Sequence, residues 1–129
     1  MNPTWFGFTR DLHLEEDGAV ALDDALARAH RVLAQVQPHY ERGEDALAAT
    51  TFGLSFARNH WVEFSVHQQS EITMHFEVPG IPWYQRLFRG RRANWRTLHS
   101  PDEMSRAITQ FFTLTPAQLN VAFRQTGAA

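Results

Sequence analysis

Between Thr50 and Val78 apolar and polar residues alternate almost without a break. Phe52, Leu54 and Phe56 take turns with Thr51, Gly53, Ser55 and Ala57. Val62, Phe64 and Val66 alternate with Trp61, Glu63, Ser65 and His67, and Ile72, Met74, Phe76 and Val78 with Glu71, Thr73, His75 and Glu77. A period of two sends successive side chains to opposite faces of a strand. The stretch therefore predicts three consecutive antiparallel strands with one apolar face and one polar face.

Keeping apolar opposite apolar gives a register, because directly opposed residues point to the same side. It pairs Phe56 with Val62, Leu54 with Phe64 and Phe52 with Val66, leaving Arg58-Asn59-His60 as the first connection. It pairs Val66 with Ile72, Phe64 with Met74 and Val62 with Phe76, leaving Gln68-Gln69-Ser70 as the second. The polar face then carries three expected rows: Ser55, Glu63 and His75; Thr51, His67 and Glu71; Ala57, Trp61 and Glu77.

Before this meander, Trp5 to Glu15 alternates as one strand, with Phe6, Phe8, Leu12 and Leu14 on one parity. Glu15-Glu16-Asp17-Gly18 reads as a turn or loop. Leu22, Leu26, Ala29, Leu33, Val36 and Tyr40 recur at steps of three and four, one stripe of an amphipathic helix. Asp23 and Asp24 suit its positive end. Pro38 is expected to end or kink it near Val36, with a short extra turn over Glu44–Ala49.

After the meander, Pro79-Gly80 stops the third strand. A short helix from Pro82 to Gly90 and a further strand within Ala93–His99 are expected next. Ser100-Pro101-Asp102-Glu103 has the residues of a capping box, and Thr115-Pro116-Ala117-Gln118 repeats them. The two helices they open carry Met104, Ala107, Ile108, Phe111 and Phe112, then Leu119, Ala122 and Phe123, inward. The predicted fold class is α+β. One antiparallel meander sheet of four to five strands has the N-terminal helix and the C-terminal helices on one face, in a single domain spanning residues 1–129.

Composition narrows the chemistry. The chain has no cysteine, which removes disulfides, zinc–thiolate sites and thiol nucleophiles and suits a reducing compartment. All twelve basic residues are Arg, so Schiff-base lysines and a P-loop lysine are excluded. No apolar run approaches a membrane span, and no signal segment opens the chain, so a cytoplasmic protein is expected. Charge is uneven: residues 1–77 hold twelve acids and five Arg, a net −7, while residues 78–129 hold two acids and seven Arg, a net +5.

Two surfaces could carry function. On the polar sheet face, Trp61 among Glu63, His75 and Glu77 resembles an interface anchor, since aromatics are enriched where proteins meet. The same face offers Glu63, His67 and His75 as an alternative metal or acid–base set. The second surface is the run Arg86, Arg89, Arg91, Arg92 and Arg96, interleaved with Trp83, Tyr84, Phe88 and Trp95 and free of acids between Glu77 and Asp102. Arginine holds phosphates and aromatics stack on bases, so this run could grip nucleic acid or an anionic surface. The slightly negative whole-chain charge and the absence of a nucleic-acid motif weigh against that. The expectation is a non-enzymatic protein-binding module, requiring no cofactor, that uses Trp61, Glu63, His75, Glu77, Arg89, Arg91 and Arg92 against another protein or a second copy. No His-Glu-x-x-His box, Gly-x-Ser-x-Gly elbow or phosphate-cradling Gly loop is present.

Overall fold

A computed structural model describes residues 1–8, 14–41, 50–80 and 94–125. Six strands form one sheet: β1 (Thr4–Phe8), β2 (Leu14–Ala19), β3 (Thr51–Ala57), β4 (His60–Gln68), β5 (Glu71–Glu77) and β6 (Trp95–Leu98). Among the described residues three helices accompany them: α1 (Leu22–Glu41), α2 (Pro101–Thr113) and α3 (Pro116–Gln125). The sheet order is β2-β1-β3-β4-β5-β6 and every pairing is antiparallel. The α+β class and the one-sided helices are as expected; the sheet is larger than expected. No described helix is long and apolar enough to cross a membrane.

The extra strand comes from the N-terminus. The single strand expected over Trp5–Glu15 is two, and Glu15–Gly18, read as a turn, lies inside β2. All six β2 residues are exposed. An edge strand wet on both faces needs no apolar alternation, and its carboxylates protect a free edge, so charge and Gly there imitate a loop signal. The parity also resolves differently. Trp5 is buried on the helix side, whereas Phe6 lies on the opposite face.

The meander's second hairpin keeps the predicted register, with Val66 opposite Ile72, Phe64 opposite Met74 and Val62 opposite Phe76. Its connection is shorter than expected, because Gln68 pairs with Glu71 and His67 takes up the irregularity. The first hairpin is displaced by two residues: Leu54 faces Val62, Phe52 faces Phe64, and Ala57 faces His60. A two-residue shift preserves every facing direction, so matching apolar to apolar cannot see it. The turn contains Arg58 and Asn59, and Phe56 is the extra residue of a bulge.

The helix-side face of the sheet is the core. Phe52, Leu54, Val62, Phe64, Val66, Ile72, Met74 and Phe76 are buried there beneath Ala25, Ala29, Leu33 and Val36 of α1 and Met104, Ala107, Ile108 and Phe111 of α2. Burying each large side chain contributes roughly 1.5–3 kcal/mol before entropy is counted. Trp5 stacks on Phe52 at 4.9 Å, and Phe52 on Phe64 at 5.3 Å, making an aromatic row across three strands. Arg28 of α1 lies over the Trp5 ring at 5.7 Å and pairs with Asp17 and Asp24, which ties α1 to β2.

The expected α1 stripe is turned slightly, with Ala25 fully buried while Leu22 and Leu26 are partly covered. The helix also runs through Pro38 to Glu41 instead of ending near Val36. Proline lacks the N–H that would reach the Ala34 carbonyl, and Ala34 is exposed, where water can replace that donor. The helix expected over 82–90 and the extra turn over 44–49 lie outside the described residues.

The N-caps of the two C-terminal helices use the expected residues, reciprocally at Thr115 and with one bond displaced at Ser100. The Ser100 hydroxyl accepts from the Glu103 amide at 3.1 Å, while the Glu103 carboxylate reaches the His99 amide at 2.6 Å, one residue beyond the cap. Thr115 and Gln118 exchange both bonds, at 3.3 and 2.9 Å.

Candidate functional site

All described helices lie on one side of the sheet, so the other face of β1, β3, β4, β5 and β6 has no described helix over it. Register fixes its contents in three rows. One is Thr4, Ser55, Trp61 and Glu77; the next is Phe6, Gly53, Glu63, His75 and Trp95; the third is Thr51, Ser65, Thr73 and Thr97. The displaced first hairpin puts Gly53, not Ser55, opposite Glu63, and Ser55, not Ala57, opposite Trp61. It also removes the expected Thr51–His67–Glu71 row.

The four expected residues of β4 and β5 come together as a square: Trp61 opposite Glu77, and Glu63 opposite His75. The Trp61 indole N–H donates to Glu77 Oε2 at 3.2 Å, which fixes the ring's lean toward β5. Around the square the polar groups are mutually occupied. The hydroxyls of Thr51 and Ser65 meet at 3.2 Å, and His67 Nε2 meets Thr73 Oγ1 at 3.2 Å. Trp95, at the end of the middle row, is 52% exposed and extends the aromatic content to the sheet's edge.

Glu63 has a different environment from its neighbours. A Cβ at Gly53 would collide with the Phe6 ring and with the Val62 carbonyl, so the ring from β1 occupies the space a side chain would take. Glu63, across the ladder from Gly53, is half-buried. Burial pushes its pKa up, and the facing His75 partly offsets the rise. Phe6, Gly53 and Trp95 were not among the residues picked out from sequence. A glycine inside an alternating strand is itself a sign of a close approach, and that was the available signal.

The metal reading does not gather its ligands. His67 is engaged by Thr73, and among the described residues no three His, Asp or Glu side chains are placed to hold an ion. The described part of the basic run is also otherwise employed. Arg96 points to the helix side, donates to the carbonyls of Ala122 and Phe123 at 3.2 and 3.3 Å, and lies over the Phe123 ring at 5.7 Å. It thus serves the carbonyl end of α3, where a cation is favourable. Arg86, Arg89, Arg91 and Arg92 lie outside the described residues.

One further contact went unread in the sequence: Ser105 Oγ of α2 meets His30 Nε2 of α1 at 3.3 Å. Both residues sit on helix surfaces, and no described carboxylate is bonded to the imidazole, so the pair serves as an interhelical tie.

No protein-family model, curated protein or solved structure matches this chain.

Proposed function

We propose that the protein is a non-enzymatic protein-binding module that docks its partner on the sheet face away from the helices, with Trp61 at the centre. The observation that carries this reading is the composition of that face. Phe6, Trp61 and Trp95 stand among hydroxyls that bond to one another, and the Trp61 ring is held in place by Glu77. Such a surface offers large contact area at low entropic cost, because its anchor is already ordered.

The test is capture of partners from native lysate by the wild-type protein and by Trp61→Ala, with Val121→Ala as a control. Val121 is 56% exposed on α3 and lies away from the sheet face. The expected result is one stoichiometric protein retained by wild type and by Val121→Ala and lost by Trp61→Ala, with all three unfolding cooperatively. Equal retention by Trp61→Ala removes the face from consideration.

A second reading, acid–base chemistry by Glu63 with His75, is favoured by the half-buried carboxylate opposite a histidine. A small molecule that raises the melting temperature of wild type but not of Glu63→Gln is its expected mark.

A further inference from the structure

Several polar groups of the sheet face that no described helix covers are bonded within the sheet. Trp61 is bonded to Glu77, Thr51 to Ser65, His67 to Thr73, and Ser55 to the Ala57 carbonyl. The Glu63 carboxylate, half-buried opposite Gly53, accepts no hydrogen bond from any described residue. A half-buried carboxylate gains from a cation that brings several N–H groups to it. No Arg of a described residue lies on this face. Its charged groups on β4 and β5 are Glu63, Glu71 and Glu77, with His67 and His75 as the titratable bases. Among the described residues, His75 is the basic group that faces Glu63.

The surroundings decide which cation fits. Glu63 is flanked along β4 by the Trp61 ring and across Gly53 by the Phe6 ring. Glu77 stands on the other side of the indole with one carboxylate oxygen already bonded to it. A planar, weakly hydrated guanidinium can lie on an indole and bond a carboxylate edge-on in the same pose. A compact ammonium keeps its water and gains less beside two rings. We infer that the square of Trp61, Glu63, His75 and Glu77 receives an arginine side chain of the partner protein, its guanidinium against the indole and its N–H groups on Glu63. This deepens, and rests on, the docking reading given above.

The test uses the full chain and two octapeptides with blocked ends, one alternating arginine with serine and the other lysine with serine. Each is titrated calorimetrically at low ionic strength into wild type, Glu63→Gln and Glu71→Gln. Glu71 is an exposed acid at the far end of β5 and serves as the charge control. The arginine peptide is expected to saturate wild type and Glu71→Gln alike, and to bind Glu63→Gln about tenfold more weakly, as loss of one charge-assisted contact implies. The lysine peptide is expected to bind wild type several-fold more weakly than the arginine peptide. Absence of saturable binding, equal weakening by Glu63→Gln and Glu71→Gln, or equal affinity for both peptides overturns the inference.

The lysate capture separates the two layers. A partner lost by Trp61→Ala but held fully by Glu63→Gln sinks the arginine inference and leaves the docking face standing. A partner held fully by both variants sinks both.

Discussion

Single residues set the most local behaviour of the fold. Gly53 is required because the Phe6 ring and the Val62 carbonyl occupy the space of its missing Cβ. The ring can swing aside, but the carbonyl belongs to the β3–β4 ladder and cannot. Gly53→Ala is therefore expected to destabilise by about 1–3 kcal/mol, as overpacking does, in urea denaturation, and Phe6→Ala is not expected to restore it. His60 is the second case. Its ring lies 4.7 Å from Phe56 and 5.1 Å from Phe111, with Nε2 buried and unbonded. Burial lowers its pKa, so the folded state favours the neutral ring. A histidine shifted down contributes stability that is present above its ordinary value of 6.5 and is lost as pH falls from there toward the folded value. His60→Phe is expected to flatten stability against pH in that window, read from denaturation midpoints at a series of pH values. Of the two, only Gly53 left a sign in the sequence, as a glycine inside an alternating strand. Gly53 read as a polar-face position of a strand and His60 as a loop residue, since a bulge at Phe56 leaves no mark in apolar spacing.

At the scale of elements, what was legible had a local cause. The two capping boxes name their own positions, because cap and partner lie three residues apart and need nothing from the rest of the chain. The β4–β5 register was readable for a similar reason: the irregularity at His67 lies beyond the last apolar pair, Val66 and Ile72, and leaves the earlier alternation intact. The β3–β4 register was not, because an even shift keeps every side chain on its own face. Pro38 misled for the opposite reason. A local rule was correct about the lost hydrogen bond, yet the helix continues past it. Long-range support is clearest at α3. Arg96 on β6 holds the Ala122 and Phe123 carbonyls, Phe123 meets Phe76 edge-on at 5.2 Å, and Asn120 donates to the Pro79 carbonyl at 3.0 Å. Arg96→Leu keeps much of the stem's packing but removes the charge-assisted bonds, each worth about 1.5–3 kcal/mol. Amide exchange in α3 is expected to quicken by at least an order of magnitude while α2, capped independently by Ser100, keeps its protection.

For the molecule as a whole, the charge division seen in the sequence is partly used inside the fold. Arg96 and Arg124 belong to the basic half, yet both lie against core rings, Arg124 at 5.5 Å from the Phe76 centroid and bonded to Asn94. In the acidic half, Asp17 and Asp24 pair with Arg28, a cation of the same half. Composition therefore overstated how much of the asymmetry is surface. The candidate site divides along the same line. Trp61, Glu63, His75 and Glu77 were found because one hairpin's register was readable. Phe6 and Gly53, which give Glu63 its environment, depended on the pairing of β1 with β3 across more than forty intervening residues. That distance is beyond any spacing rule.

The exposed acidic strand β2 bears on how copies of the protein tolerate crowding. A free strand edge is a template for another, and two β2 edges meeting antiparallel would bring Glu15, Glu16 and Asp17 of one copy against those of the next. Mutual repulsion there limits edge-to-edge growth. Replacing Glu15 and Glu16 with Gln keeps shape and polarity, removes most of the repulsion and leaves the Asp17–Arg28 pair in place. Light scattering on concentrated solutions is expected to show the double variant associating at concentrations where wild type does not, with thermal unfolding of the dilute proteins little changed. The carboxylates of β2 would then matter to solubility more than to folding.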